Sequence, residues 1–136
     1  MPSTNVENPT YYGFGAAHYL KHPAGGDVFY VTDAARGGSN DNNGISPGTP
    51  FLTITYAMSQ LSGARDSYIF VQRTSLADEP AWPIEVTQAY LHLIGTPDQA
   101  HPTPAIRPQD NNHGLLINAG GVEVAGFLFS AVAANL

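Results

Sequence analysis

The stretch LLINAGGVEVAGFLFS, residues 115–130, decides the fold. It holds two short apolar runs, 115–117 and 122–129, which are separated by the segment NAGG, and the second run turns at Gly126. Short apolar runs bounded by Gly and Asn predict strands broken by tight corners rather than helices. The runs are too short for ordinary hairpins with long arms. We therefore expect a chain that bends after every few residues and winds into coils.

The composition predicts one turn-rich β domain. The chain has 136 residues, of which 43% are hydrophobic, enough for a single modest core and too many for a disordered chain. Only 12% are charged, and the 14 glycines and 11 prolines favour a β protein over a helical one. We expect an all-β fold with a docking arm at 1–27 and a β domain at 28–136.

The charge distribution argues against a nucleic-acid or membrane partner. The chain has 11 acidic and 5 basic residues, a net charge of -6, and its arginines are scattered. No run approaches the roughly 18 apolar residues of a membrane span. The N-terminus, MPSTNVENPT, lacks the basic and apolar regions of a signal peptide. The absence of cysteine excludes a disulfide framework and a cysteine metal site.

The N-terminal arm is rich in aromatic residues although proline and glycine interrupt it. A free tail rarely carries so many aromatic side chains, so we expect the arm to dock on its own domain, on a neighbouring copy or on another protein. His18 and His22 have a helical metal-ligand spacing, but Gly and Pro surround them and no acidic ligand is close, so we expect no metal. The predicted docking residues are Tyr11, Tyr12, Phe14, Tyr19 and Leu20.

Between the arm and the opening stretch the pattern alternates between strands and turns. Residues 33–50 are dense in Gly, Asn, Asp, Ser and Pro and predict a long loop. Residues 51–61 place apolar side chains on one helical face, and Ser62-Gly63 ends that short helix. The predicted strands are 27–32, 67–72, 82–86, 89–94 and 105–107.

An approximate repeat supports coils. The interval from Ile84 to Ile106 nearly equals the interval from Ile94 to Ile117. Both fall within the spacing of about 20 to 25 residues that suits one coil of a solenoid.

Residues 29–58, FYVTDAARGGSNDNNGISPGTPFLTITYAM, followed by YIFV at 68–71, resemble the N-terminal part of right-handed parallel β-helix proteins of the pectate-lyase-like superfamily. In that family an opening strand, a Gly-x-x-Asn-Asp-x-x-Gly loop, a Pro-Phe-x-Thr-Ile run and a capping helix lead into the first coil. LHLIG at 91–95 and GLLINAGGVEVAGFLF at 114–129 look like successive coils. The resemblance implies a short right-handed parallel β-helix of about three coils with one capping α-helix. It specifies activity poorly, because many activities share this architecture.

The candidate chemistry is sparse. A polysaccharide lyase or hydrolase of this fold needs paired carboxylates, or a Ca²⁺-binding acidic cluster with a basic residue. The acidic residues of the coil region sit singly on different corners, with Arg107 as the one basic residue, so we predict no catalytic residue, no metal and no cofactor. These acidic residues are Glu85, Asp98, Asp110 and Glu123.

Three further features have two interpretations each. The cluster of Asp33 and 40–43 could hold Ca²⁺, but Asn and Asp that cap their own turns are the favoured interpretation. His92 is expected to be a surface histidine or a hydrogen-bonded core histidine. Trp82 could stack on a sugar, but a single Trp at a strand start is more often part of the core.

Members of the resembled family continue for many more coils, whereas this sequence stops at AVAANL. An open solenoid end exposes strand edges and apolar side chains, so we expect Phe127, Phe129 and Leu136 to lie in an interface. The resemblance then implies a non-enzymatic bacteriophage virion protein, and we favour a capsid decoration (cement) protein. Its partners would be other copies in a homotrimer and a major capsid or other virion protein, with a glycan as a further candidate ligand. The alternatives are the N-terminal part of a tail spike or fibre, and that of a carbohydrate-active β-helix enzyme.

Overall fold

The computed structural model describes residues 26–72, 78–97, 103–109 and 112–130. Strands dominate this part of the chain, with one short α-helix and one 3₁₀ helix, as the all-β prediction requires. The elements in chain order are β1 (Val28–Val31), the 3₁₀ helix (Ala34–Arg36), α1 (Ile54–Ser59), β2 (Tyr68–Val71), β3 (Ile84–Val86), β4 (His92–Gly95), β5 (Ala105–Ile106), β6 (Leu115–Ile117), β7 (Glu123–Ala125) and β8 (Leu128–Phe129).

All of these strands pair in parallel. One sheet has the order β1-β2-β4-β7, and two smaller sheets consist of β3 with β6 and β5 with β8. A single row of the large sheet joins Val28, Tyr68, His92 and Glu123. The chain visits all three sheets from β4 to β6 and then returns to the large sheet at β7. Parallel pairing of strands this close in sequence requires such a return between them.

The core lies between the three sheets. Alternate residues of a strand point to opposite sides, and the side chains that point inward here are aliphatic. Ile69 and Leu93 of the large sheet, Ile84 and Val86 of β3, and Ile106 of β5 are each no more than 1% exposed. Burying a side chain of this size contributes about 1.5–3 kcal/mol, so these short strands are stabilised chiefly by what they cover.

The predicted helix is present but shorter than 51–61. Thr53 ends the extended chain before the helix, and its side chain accepts a hydrogen bond from the Tyr56 N–H at 3.0 Å. Phe51 is held in extended conformation because it forms a parallel bridge with Val31 of β1. At the other end, the helix stops at Ser59, before the Gly63 at which the chain turns.

The loop between β1 and α1 is ordered by its own asparagines, which confirms the interpretation as self-capping turns. Asn40 Oδ1 accepts from the N–H of Leu52 at 2.9 Å, and Asn43 Oδ1 accepts from the Thr49 hydroxyl at 2.7 Å. Asn42 donates to the Pro50 carbonyl at 2.7 Å. The loop also covers the outer edge of β1, since the Tyr30 N–H donates to the Gly44 carbonyl at 2.9 Å.

The isoleucines of the approximate repeat are not partners of one another in the strand register. Ile84 lies in β3 and pairs with Leu115, whereas Ile106 lies in β5 and pairs with Phe129. The true intervals are unequal, because the step from Tyr68 to its partner His92 is shorter than the step from His92 to its partner Glu123. The loops between strands differ in length, so sequence spacing alone misassigns the partners.

Two predicted strands also begin later than expected. The strand expected at 82–86 begins at Ile84, and the strand expected at 89–94 begins at His92. Tyr90 is a corner residue with a left-handed backbone, φ 57°. Asp66 and Gly121 have φ values of 60° and 70° and occupy the same place, two residues before β2 and β7. The large sheet is therefore entered through a left-handed corner three times, at Asp66, Tyr90 and Gly121.

Candidate interaction site

Three strands form the end of the described structure that is remote from α1: β6, β7 and β8, hereafter the terminal strands. Each is the outermost member of its sheet, and within the described ranges each pairs on one side only. The opposite end differs, because β1 is bridged by Phe51, whose N–H donates to the Tyr30 carbonyl at 2.8 Å. Unpaired strand edges are templates for further pairing.

Two apolar side chains of the terminal strands are exposed although their register partners on the inner strands are buried. Ile117 is 47% exposed, while Val86, its partner in β3, is 0% exposed. Phe129 is 52% exposed, while Ile106, its partner in β5, is 0% exposed. The difference follows from position, because other residues of the chain cover Val86 and Ile106, whereas the described residues leave Ile117 and Phe129 about half exposed. The large exposed apolar residues of the terminal strands are Leu116, Ile117, Leu128 and Phe129.

The predicted interface residues fall into three groups. Phe129 lies on the exposed end. Phe127 is partly buried, packs against the core and has its ring 6.4 Å from that of Phe129. Leu136 lies outside the described residues, and so do all the docking residues of the arm: Tyr11, Tyr12, Phe14, Tyr19 and Leu20. Sequence reasoning missed Leu116, Ile117 and Leu128, because the runs 115–117 and 127–129 are wholly apolar and do not indicate which side chains stay exposed.

A second feature lies on the outer face of the large sheet. His92 Nδ1 is 2.6 Å from Glu123 Oε1, and His92 Nε2 is 3.3 Å from Asp66 Oδ1. The Tyr68 ring stacks on the imidazole with a centroid distance of 4.2 Å and an angle of 10°. Arg65 places its guanidinium 3.8 Å from the ring centroid of Tyr90. Neighbouring positions in the strand register bring these side chains together.

This outer-face cluster is internally satisfied. Carboxylates only accept hydrogen bonds when ionised, so both imidazole nitrogens donate at once only when His92 carries two protons. Burial raises the pKa of the Tyr68 phenol, with smaller contributions in the same direction from Asp66 and Glu123. No group of three or more metal-ligating His, Cys, Asp or Glu side chains is present among the described residues. His92 is thus a hydrogen-bonded histidine, as expected.

Of the acidic candidates, Glu85 and Glu123 lie on different sheets and do not pair with each other, as predicted, but Glu123 has a histidine as its neighbour. The strand register places it beside His92, and no sequence motif marks that pairing. Glu85 is on a different sheet, with Oε2 3.5 Å from Asn118 Nδ2. Arg107 donates through Nε to the Ser130 hydroxyl at 3.1 Å. Asp98 and Asp110 lie outside the described residues.

Trp82 packs against the core cluster, which favours the structural interpretation over sugar stacking. No helix within the described residues is long and apolar enough to span a membrane. Comparison with protein-family models, with curated proteins and with solved structures gave no match.

Proposed function

We propose that the chain forms a short right-handed parallel β-helix of about three coils and serves as a non-enzymatic structural component of a bacteriophage virion. Docking uses the terminal strands together with the N-terminal arm. The favoured role is capsid decoration, with other copies and a major capsid protein as partners.

Two observations support the β-helix part of the proposal. Every strand pair is parallel, and the chain passes from the large sheet at β4 through β5 and β6 back to the large sheet at β7. Crossovers between parallel strands are right-handed in about 98% of cases, which favours that hand here. The left-handed corners at Asp66, Tyr90 and Gly121 recur at the same place before three strands, as expected for stacked coils.

The single observation that supports docking is the exposed end. The terminal strands combine open backbone edges with apolar side chains about half exposed, next to paired residues that are fully buried. Apolar patches with free strand edges are unfavourable in water and typical of interaction surfaces. The low charged fraction, 12%, fits a surface that is partly buried in an assembly.

The virion role and the homotrimer rest on the resemblance of residues 29–58 to β-helix proteins. A structural role does not require paired carboxylates, and the acidic side chains of the outer-face cluster already bind His92 and leave little free for chemistry.

Oligomeric state tests this proposal. The double variant Leu128→Asp with Phe129→Asp places two charges on the exposed end, and Ile45→Asp is the matched control because Ile45 is 64% exposed on the loop that covers β1. Light scattering should show an assembly for the wild type and the control and a monomer for the double variant. A wild-type monomer with unchanged behaviour in all three proteins would contradict the proposal.

The arm has its own test. Deletion of residues 1–20 should abolish assembly or particle binding while the β-type circular dichroism spectrum stays the same. Unchanged binding by the truncated chain would remove the arm from the proposal.

A second candidate function is the first part of a tail spike, tail fibre or carbohydrate-active β-helix enzyme. The observation that favours it is the common position of the three open edges, because further coils would extend all three sheets in register. Release of reducing sugars from acidic polysaccharides would support the enzyme. Its absence, together with assembly through the terminal strands, would favour the structural role.

A further inference from the structure

The outer face of the large sheet carries a cleft near the carboxyl ends of β1, β2 and β4. It encloses about 330 Å³, within the range of small-molecule sites. Phe70 forms part of its floor and is only 8% exposed, although it lies on the face opposite to the core residues Ile69 and Val71. The lining residues are Tyr30, Val31, Thr32, Pro47, Pro50, Phe70, Gln72 and Thr96.

The walls of the cleft are apolar and rigid. Tyr30 stacks on Phe70 with a centroid distance of 5.6 Å and an angle of 26°. Pro47 and Pro50 belong to the loop that the asparagines hold in place, and Asn42 donates directly to the Pro50 carbonyl. The cleft is therefore formed in the folded chain and does not need to be created by a ligand.

The polar groups of the cleft are uncharged and can both donate and accept hydrogen bonds. Gln72 contributes a side-chain amide, which has no hydrogen-bond partner among the described residues. Thr96 contributes a hydroxyl that donates to the Val71 carbonyl at 3.3 Å and can still accept. A purely apolar ligand would leave the Gln72 amide without a partner, which costs binding energy. A charged ligand would lose its hydration with no opposite charge among the described lining side chains.

We propose that this cleft binds one ring of a neutral saccharide. A pyranose ring has an apolar C–H face for the walls formed by Tyr30, Pro47 and Pro50, and hydroxyl groups that both donate and accept for Gln72 and Thr96. The acidic net charge of the chain, -6, further disfavours uronic acids. This site is separate from the terminal strands, so it does not depend on the docking role proposed above.

Nuclear magnetic resonance titration of the full chain tests the site. The probes are neutral methyl glycosides and their short oligomers, glucuronic and galacturonic acid, p-cresol as an analogue of a tyrosine side chain, and a proline-rich peptide. A small pocket supports a Kd of about 1 mM, so titration to about 50 mM is sufficient. Neutral saccharides should shift the resonances of Tyr30, Phe70, Gln72 and Thr96.

Substitutions connect the binding to the cleft. Gln72→Ala removes the free amide and leaves the walls in place, so neutral saccharide should bind about 3- to 10-fold more weakly. Gln109→Ala is the matched control, since Gln109 is exposed and distant from the cleft, and it should bind as the wild type does. Tyr30→Ala should abolish binding, with circular dichroism used to confirm that the variant folds.

Four results would overturn the inference. These are shifts with uronic acids only, shifts with p-cresol or the peptide only, no shift with any probe at about 50 mM, and equal affinity of the Gln72→Ala variant and the wild type. The second result would assign the cleft to a side chain of a protein partner instead.

Discussion

His92 on β4 and Glu123 on β7 are direct partners in the strand register, and their side chains meet at 2.6 Å between Nδ1 and Oε1. This contact ties the outermost strand of the large sheet to its neighbour on the solvent side, while Leu93 and Val124 do so on the core side. A cross-strand pair of this kind contributes about 0.2–1 kcal/mol, and its charges are opposite only when the imidazole is protonated.

Glu123→Gln should lower the free energy of unfolding by about 0.3–1 kcal/mol, because the Glu123 side chain is more than half exposed and solvent screens the pair. Urea denaturation measures this, and the loss should shrink at about 1 M salt. Glu85→Gln, an exposed carboxylate on β3, is the control and should change little. A loss that is independent of salt would show that hydrogen-bond geometry, not charge, stabilises the contact.

Glu79 fixes the start of α1 from a distance in sequence. Its side chain is buried, with 7% exposure, and accepts from the N–H of Ile54 at 2.6 Å and from the hydroxyl of Thr55 at 2.7 Å. Glu79→Ala leaves the first N–H groups of the helix without this acceptor in a buried place, so we expect a loss of about 2–3 kcal/mol in the free energy of unfolding. Thermal or urea denaturation measures it.

Glu79→Gln retains one accepting oxygen, so its free energy of unfolding should fall by less than that of Glu79→Ala. Equal stability of the Glu79→Ala variant and the wild type would mean that water replaces the carboxylate at the helix start.

The class of fold could be predicted from local patterns in the sequence. Short apolar runs between Gly and Asn gave the strands, and the asparagines at 40, 42 and 43 marked a loop whose side chains satisfy its own backbone. Phe129 is exposed at the outer edge of its sheet, as the sequence predicts from the place of 127–129 after the other apolar runs. These features are local, so a single sequence is sufficient to show them.

The partners in the strand register did not follow from the sequence. The contact of His92 with Glu123 depends on connections of unequal length, because the step from Tyr68 to its partner His92 is shorter than the step from His92 to its partner Glu123. No local sequence pattern indicates the path that a loop takes between two strands. Likewise, Glu79 lies far along the chain from the Ile54 N–H that it binds, and only the folded chain brings them together.

Gly95 is required by a close approach of two backbones. A Cβ added at Gly95 would lie 2.3 Å from the carbonyl oxygen of Gly126, which directly follows β7. Gly95→Ala must therefore separate β4 from the chain that follows β7, and we expect a loss of at least about 2 kcal/mol, as for other overpacked sites.

Gly120→Ala is the matched control for Gly95→Ala, because a Cβ there would have no neighbour within 4 Å. Urea denaturation of both variants measures the difference. If the two variants are equally stable, the close approach of Gly95 and Gly126 does not constrain the fold.

The raised pKa of Tyr68 predicts how the stability of the fold changes at alkaline pH. Burial, followed by the charges of Asp66 and Glu123, raises its pKa above the ordinary value of 10.0. The folded chain therefore holds the phenol proton more tightly than the unfolded chain does. The stability linked to Tyr68 is fully present below pH 10.0 and is lost as the pH rises through the raised pKa.

Tyr68→Phe should flatten the fall of the urea midpoint above pH 10.0, and tyrosinate absorbance should show one late titration that the variant lacks. Because burial is the largest cause, high salt should leave most of this late titration in place. If the urea midpoints of the wild type and of the Tyr68→Phe variant fall equally as the pH rises, the assignment is contradicted.

The pair of Ile106 and Phe129 separates the core from the exposed end. They are register partners on β5 and β8, yet Ile106 is 0% exposed and Phe129 is 52% exposed. Ile106→Ala should lower the free energy of unfolding by about 2–5 kcal/mol because it leaves a cavity, whereas Phe129→Ala should lower it by less than about 1 kcal/mol. At matched concentrations, and under conditions where both variants are folded, light scattering should show that Phe129→Ala weakens assembly more than Ile106→Ala does. If Phe129→Ala destabilises the isolated chain as strongly as Ile106→Ala does, then Phe129 is covered by the chain itself, and the terminal strands are not a free docking surface.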